Sequence, residues 1–440
     1  MAVLHKLPKP RHYWVAYSGG IDSSVLLHAL GQQRDQLQSE LIAIHINHGL
    51  SPNAEHWVQH CQSFCETRKL RFEKAAIDTA DNKGKSPEAW ARELRYKAMA
   101  DFMEKDDVLL TAHQQDDLAE TILLQLLRGS GPEGLSGIPE IRPFGTGWIA
   151  RPLLSFTRKE LEGIAAREQL QWIEDESNSN VAFDRNFIRH CVMPVIAERW
   201  PSMSRTLSRS ARHQAEMAML MDEIASSDLD KIHNTELNTL KIKDINNLSD
   251  ARKRNALRFW LKKTGLPVPG AGIIENIINE VINAKRDSTP CVGWEGAEVR
   301  RYRDLVYAMQ NLKEQDSEVT YKWCLNRPLE LNVGRLEARL TKGKGLKSSC
   351  IKDNIIDVRF RYGGESIRPA GRKYTHDLKK LFQEIGIPPW QRDRIPLLYL
   401  EGKFAAVPGL WIDHAFNAKK NDESWDISLK DNLITHYVNK

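Results

Sequence analysis

A chain of 440 residues with 41% hydrophobic and 28% charged residues has the apolar material for packed cores, and at about 150 residues per domain it divides into roughly three of them. The basic opening MAVLHKLPKPRHYW has no apolar run behind it and no later stretch reaches the length of a membrane span, so secretion and membrane insertion are not expected and the expected location is the cytoplasm. Six cysteines are too sparse for a disulfide framework, and Cys61 and Cys65 lack the two-residue spacing of a CxxC pair, so reduced thiols are expected; the net charge of +5 by itself only permits an acidic partner.

In chain order, residues 13–210 alternate short β-rich runs with longer helical ones, the pattern of a parallel sheet covered by helices. The strand candidates are YWVAY, LIAIHINH, RFEKAAI and DVLLTAH. Ser86 before Pro87 reads as a helix N-cap, Thr157 with Glu160 as a capping box, and Gly129 as the stop of a helix that starts near Asp116. Over 200–230 the run WPSMSRTLSRSARHQAEMAMLMDEIASSDLD reads as one long helix, and 250–285 as further helices with apolar residues at helical spacing. After Pro290, alternation in LELNVGRLEARL, IIDVRF and LLYLEGKFAAV surrounds a short helix at HDLKKLFQEIG. The expected fold class is therefore α/β: a doubly wound, Rossmann-like parallel sheet over 1–215, a helical domain over 216–330 and a small basic α+β domain over 350–440.

A strand running into Ser18, Gly19, Gly20, Ile21, Asp22 and Ser23, then into the apolar helix SVLLHAL, sets two glycines at a tight strand-to-helix turn. Backbone N–H groups converge on the helix N-terminus there, a preformed anion site. Neither GxGxxG nor the lysine-bearing Walker A loop is present. Asp22 would repel a phosphate unless a divalent cation lay between them, so the loop implies Mg²⁺ along with a nucleotide. The plainer alternative is a glycine turn with an acidic helix start. Polar residues mark three strand ends, at Ser18 to Ser23, at Asn47 with His48, and at His113 with Asp116 and Asp117; one crevice at the carboxyl edge of a sheet would collect them.

This loop resembles the PP-loop of the N-type ATP pyrophosphatases, which cleave ATP between its α and β phosphates and leave AMP on the substrate. HINHGL, ARELRY, TAHQQDDLAETILLQLLRGSGPEGLSGI, RPLL and DESNSNVAFDRNFIRHCVMP, in this order, are similar to the tRNA(Ile)-lysidine synthetases, and RYGGESIRPAGRKYTHDLKKLFQEIGIPPWQRDRIPLL is similar to that family's C-terminal domain. One departure is Gln114, where the family often shows a second histidine. The resemblance implies ATP-dependent ligation of free L-lysine to C2 of the wobble cytidine of a CAU-anticodon tRNA(Ile), through an adenylated cytidine, with pyrophosphate and AMP released. It implies that Asp22 ligates Mg²⁺ and that the backbone of Gly19, Gly20, Ile21 and Ser23, with the Ser18 and Ser23 hydroxyls, binds the phosphates. It further implies that Asp116 or Asp117 holds the lysine ammonium, and that this carboxylate or His113 helps to deprotonate it. Arg92, Arg95, Arg185 and Arg189 are candidate clamps for phosphates or for the lysine carboxylate. Without the resemblance, Asp116 and Asp117 read equally as an acidic helix start, and His45 and His48 as pocket lining or sheet edge.

Between Arg359 and Arg394 nine Lys or Arg stand against four acids, an excess of +5. Arg368, Arg372, Lys373, Lys379 and Lys380 lie there among glycines and prolines near Tyr374 and Trp390, which suits phosphate contacts to RNA; a solvated basic face is the alternative. Other readings of the sequence are another PP-loop adenylating enzyme, such as a tRNA thiolase, an amidotransferase or a small-molecule ligase, or a catalytically inactive RNA-binding protein. The paired cysteines usual for thiolation are absent, Ala2 speaks against an N-terminal cysteine nucleophile, and an intact Asp22 with the Asp116–Asp117 pair weighs against inactivity. A homodimer stays open.

Overall fold

The computed structural model describes residues 2–47, 49, 53–78, 87–285, 288–312, 316 and 318–430; His48 and the expected N-cap Ser86 lie outside the described residues. Six strands, β1 (His12–Ala16), β2 (Glu40–Asn47), β3 (Arg71–Ala76), β4 (Val108–Leu110), β5 (Ile141–Phe144) and β6 (Gly147–Ala150), form one sheet in the order β3-β2-β1-β4-β6-β5. β1 pairs in parallel with β2 and β4, β2 with β3 and β4 with β6, while β5 is an antiparallel edge. The first four match the strand candidates. The β5–β6 hairpin escapes the sequence pattern because Pro143 interrupts a run of only four residues, and its turn rests on Gly145 at φ +54°.

Strand alternation sends the central residues to two separate cores. Tyr13 and Val15 pack with Val25, Leu26, Leu30 and Leu161, which come from the helices Ile21–Gln32 and Arg158–Arg167. Trp14 faces the other way, with Ile42, Ile44, Leu109 and Ile149, against Met99 and Phe102 of the helix Pro87–Phe102. β1 followed by β2 and β3 builds one half of the sheet, and β4 starts the other half. The order therefore reverses between β1 and β4, and in open α/β sheets ligands bind beyond the carboxyl ends of the strands at such a point. The glycine turn follows β1 and the His113–Asp117 segment follows β4, so the topology brings both to the switch point.

The chain forms two compact units, one up to Met221 and one from Asp222, with the boundary inside the single long helix Met203–Ile232. In the second unit the expected helices appear as Asp250–Lys263 and Ala271–Asn276, the latter continued by a π-helical turn Ile277–Ile282, around the buried Trp260. A five-stranded antiparallel sheet that the sequence pattern did not reveal packs with them; its two longest strands are Ala297–Tyr302 and Leu305–Gln310. Glu298 and Arg301 are buried in it, and Arg301 is satisfied by the carbonyls of Arg303 and Ile282, each at 2.9 Å. A buried charge breaks the apolar alternation by which a strand is recognised.

The C-terminal part is α+β as expected. LELNVGRLEARL forms the hairpin Leu329–Leu331 with Gly334–Lys342 in a four-stranded sheet. IIDVRF and LLYLEGKFAAV supply Ile355–Arg359, Leu397–Leu400 and Lys403–Val407 to a five-stranded one. The helix Leu378–Glu384 buries Leu378 and Phe382 against Ile395 and Leu397. Among the described residues, no helix is long and apolar enough to cross a membrane.

Candidate functional site

The turn after β1 needs glycine at position 19 for two reasons. Its φ is +82°, and a Cβ added there would lie 2.7 Å from Ile173 Cδ1 and 3.0 Å from Cys61 Sγ. Gly20 is the N-cap of the helix Ile21–Gln32, and no side chain caps it, which leaves the positive end of the helix to an external anion. Ser18 Oγ and Ser23 Oγ are 3.1 Å apart, and the Ser23 hydroxyl donates to the Gly20 carbonyl at 2.9 Å. His45 stands behind the loop, buried, with Nδ1 2.9 Å from the Tyr17 carbonyl oxygen, so its place is structural. All six cysteines are free, and burial pushes the thiols of Cys61 and Cys65 up to about 12, which keeps them protonated.

Asp22 sits in the first turn of that helix. Its Oδ2 accepts a hydrogen bond from Arg158 Nη1 at 2.9 Å, whereas its Oδ1 is buried with no hydrogen-bond partner among the described residues. Burial pushes the carboxyl up to about 6, against the pull of Arg158 and with the nearby Asp117 adding to the rise.

Gln114, at the departure from the family pattern, caps the helix Gln115–Leu127: its side chain accepts from the Asp116 N–H at 2.6 Å, and Asp117 Oδ2 accepts from the Gln114 N–H at 3.0 Å. Asp116 is held by the Ser204 hydroxyl and by the Arg158 N–H at 2.9 Å. Asp117 Oδ1 receives Arg185 Nη2 at 2.9 Å and Arg189 Nη2 at 3.0 Å. Both arginines also grip Glu120, which is 1% exposed, through Arg185 Nε at 2.8 Å and Arg189 Nε at 2.6 Å. Asp117 and Glu120 share one helix face at a spacing of three. Arg185 and Arg189 match it at a spacing of four, carried by the short helix Asp184–Phe187 and a π-helical turn at Ile188–Val192. Burial opposes the Arg189 charge, but its hydrogen bonds to Glu120 and the charges of Glu120 and Asp117 outweigh it and raise its pKa. The two arginines expected to clamp substrate thus hold two carboxylates of the protein itself.

His113 is half-buried, with Nδ1 2.9 Å from Thr111 Oγ1. Burial lowers its pKa to about 3; Asp117 opposes this and the charges of Arg151, Arg92 and Arg185 reinforce it, so the imidazole is neutral. Arg92 lies over the Tyr96 ring, 5.2 Å from its centroid, and the buried Arg151 donates to the Pro139 carbonyl at 2.6 Å. Arg95 is half-buried on the same helix as Arg92. The structure therefore gathers Asp22, Asp117, His113, Arg92, Arg185 and Arg189 into one electrostatically coupled group, and adds Glu120, Arg151 and Arg158, which sequence reasoning did not single out. RPLL marks Arg151, and the AET of the Asp116–Asp117 helix marks Glu120, but nothing in their spacing tells which charges they meet.

Among the described residues, no three His, Cys, Asp or Glu side chains form a cage for a metal ion. A single carboxylate with one unpartnered buried oxygen beside an anion-binding turn is nonetheless what Mg²⁺ needs, since it keeps several waters and is shared between one or two carboxylates and substrate phosphates.

Three families match successive parts of the chain: the PP-loop domain over residues 2–196, the TilS substrate binding domain over 240–307 and the TilS substrate C-terminal domain over 356–429. The tRNA(Ile)-lysidine synthase of Coxiella burnetii is 41% identical over 421 residues, 95% of this chain and 93% of that protein. The chain belongs to the tRNA(Ile)-lysidine synthase family. The synthase of Methylococcus capsulatus is 40% identical over 92% of this chain and 93% of its own length, and that of Salmonella agona 40% identical over 91% and 93%.

Within the C-terminal domain of this family member the basic residues divide. Arg392 is buried and donates to the Ile387 carbonyl at 2.8 Å and to the Tyr302 hydroxyl at 3.0 Å, and Arg361 pairs with Asp393 at 3.0 Å. Trp390 is half-buried and packs edge-on against Tyr307 at 5.5 Å. Arg368, Lys373, Lys379 and Lys380 are exposed; Lys380 pairs with Asp377 at 3.3 Å, and the half-buried Arg372 pairs with Glu384 at 2.9 Å. Tyr374 is 67% exposed with Lys373 Nζ 5.5 Å over its ring, an amphipathic platform next to open charge.

Proposed function

We propose that this chain joins free L-lysine to C2 of the wobble cytidine of a tRNA(Ile) with a CAU anticodon, in two steps at the β1–β4 switch point. In the first step the cytidine C2 oxygen attacks the α phosphorus of ATP, the bond to the β-phosphate oxygen breaks, and pyrophosphate leaves. The backbone of Gly19, Gly20, Ile21 and Ser23, with the Ser18 and Ser23 hydroxyls, would hold the phosphates, so that most of the rate comes from positioning and charge stabilisation. Mg²⁺ on Asp22 would supply charge neutralisation at the triphosphate. In the second step the lysine amine attacks C2 and AMP leaves with its electron pair.

The oxygens of both carboxylates have protein partners, those of Asp116 in Ser204 and the Arg158 N–H and those of Asp117 in the Gln114 N–H, Arg185 and Arg189; what separates the two is that Asp117 acts electrostatically on both Asp22 and His113. We therefore assign the lysine ammonium to Asp117, with that carboxylate or the neutral His113 beside it helping to remove its proton. Glu120, Arg185 and Arg189 fix Asp117, while Arg92 and Arg95 would meet an anionic group of substrate. The division of labour would place catalysis in residues 1–215 and tRNA contacts in 216–330 and 350–440, with Arg368, Arg372, Lys373, Lys379 and Lys380 on phosphates and the cytidine splayed into the crevice. The reaction would take place in the cytoplasm.

What carries the reading is the meeting of an Asp22-bearing glycine turn with the His113–Asp117 helix start, in a chain of this family. Chromatography of the spent nucleotide tests it. AMP and pyrophosphate are the expected products, and ADP as the main product would refute adenylation.

A further inference from the structure

A triphosphate carries close to four negative charges, and the loop from Ser18 to Ser23 offers it backbone N–H groups and hydroxyls but no lysine. The cation that a Walker A loop carries within itself must come from elsewhere in the chain. Arg185 and Arg189 are matched against Asp117 and Glu120, two charges against two. Arg158 is also paired, with Asp22 and the exposed Glu162, but it stands next to the glycine turn itself. It lies 136 positions along the chain from Asp22, yet its Nη1 is 2.9 Å from Asp22 Oδ2, beside the first turn that follows the glycines. Its side chain is 43% exposed where that of Asp22 is 22%, so it remains partly open to solvent beside the glycine turn. Its direction is set by three anchors. The Thr157–Glu160 capping box starts its helix, its own N–H donates to Asp116 Oδ2 at 2.9 Å, and its Nε donates to Glu162 at 3.0 Å.

We infer that Arg158 is the phosphate-binding cation of this site, contacting the β- and γ-phosphates of ATP and neutralising the pyrophosphate as it leaves. The inference rests on the adenylation reading above. In that step the new bond runs from the cytidine C2 oxygen to the α phosphorus, and the electron pair of the broken bond departs on pyrophosphate. No proton moves, so the leaving group gains its charge in full and a fixed guanidinium next to it acts where charge develops. Asp22 keeps the fork oriented and is at the same time the carboxylate nearest the phosphates, which ties cation and metal ligand into one unit.

Binding of ATP and of AMP to the full chain, each with Mg²⁺, is measured by titration calorimetry for the wild type, Arg158→Gln and Arg158→Lys. AMP lacks the β- and γ-phosphates, so the glutamine variant is expected to lose about tenfold in ATP affinity while AMP binding changes less than about twofold, and lysine to restore part of the loss without the bidentate fork. The Arg158 N–H to Asp116 survives in both variants, and the lysine variant carries the test should the other fail to fold. Unchanged ATP affinity, or equal losses for ATP and AMP, would overturn the inference. Failure of the wild type to bind ATP at all would instead overturn the adenylation reading.

Discussion

The N–H of Ile173 donates to the Gly19 carbonyl at 2.9 Å, and the Ile173 side chain fills the space that a Cβ on residue 19 would take. The segment before DESNSN thus clamps the phosphate turn from outside, and both the sign of φ at residue 19 and its lack of a side chain serve that contact.

Gly19→Ala should therefore cost about 1–3 kcal/mol of stability and abolish ATP binding, since it combines a positive φ with a 2.7 Å clash. Gly20→Ala is the control: φ is −73° there, and the nearest atom to an added Cβ is Ser18 Oγ at 3.4 Å. Thermal melts should show a clear drop for the first and almost none for the second. Equal melts would mean that Ile173 yields freely.

The Asp22 carboxyl, held up at about 6, should be visible in a carbon-13 NMR titration with its midpoint about two units above an ordinary aspartate, assigned by its absence in Asp22→Asn. The sign follows from a folded-state pKa above the unfolded one. This group makes the free fold less stable as pH rises from about 4 to 6, because the unfolded chain gives up its proton first. Arg158→Gln should move the midpoint further up, since Arg158 opposes the rise. A midpoint near 4 in the wild type would contradict the buried placement of Asp22.

Glu120→Gln removes one of two carboxylates facing two arginines in a site where Glu120 is 1% exposed, and a loss of about 3 kcal/mol is expected in urea unfolding. Glu162→Gln breaks an exposed pair with Arg158 and should cost less than about 1 kcal/mol. Similar losses for both would show that the Asp117–Glu120–Arg185–Arg189 group is solvated.

What was legible in the sequence divides along these same lines. The phosphate turn and the His113–Asp117 segment are each contiguous and sit at the end of a strand whose Val-Leu runs or period-two alternation mark it, so their meeting follows from topology. Pairings that span the chain were not legible: Glu120 meets Arg185 from 65 positions away and Asp22 meets Arg158 from 136, and each residue alone reads as a charged helix position facing water. The antiparallel sheet around Ala297–Tyr302 was hidden for a related reason, its buried Arg301 and Glu298 being indistinguishable in sequence from surface residues. Trp390 and Arg392, counted with the RNA-facing set, turned out to pack against Tyr302 and Tyr307.

For the tRNA contacts, Arg368→Ala with Arg372→Ala and Lys373→Ala should weaken binding of any tRNA and flatten its log–log salt dependence by about two units. One unit belongs to each exposed cation, and less to Arg372, which is already paired with Glu384. ATP affinity without tRNA should not change. An unaltered salt slope in gel-shift titrations would assign RNA binding to another surface.

The most direct test of the whole account is transfer of label from radioactive lysine to RNA. Incubated with ATP, Mg²⁺ and total bacterial tRNA, the wild-type protein should place label in a single tRNA species with a CAU anticodon, at its wobble cytidine, and Asp22→Ala should place none while still shifting tRNA on a gel. Label that never enters RNA, or that enters it equally with Asp22→Ala, would contradict lysine ligation at the phosphate turn.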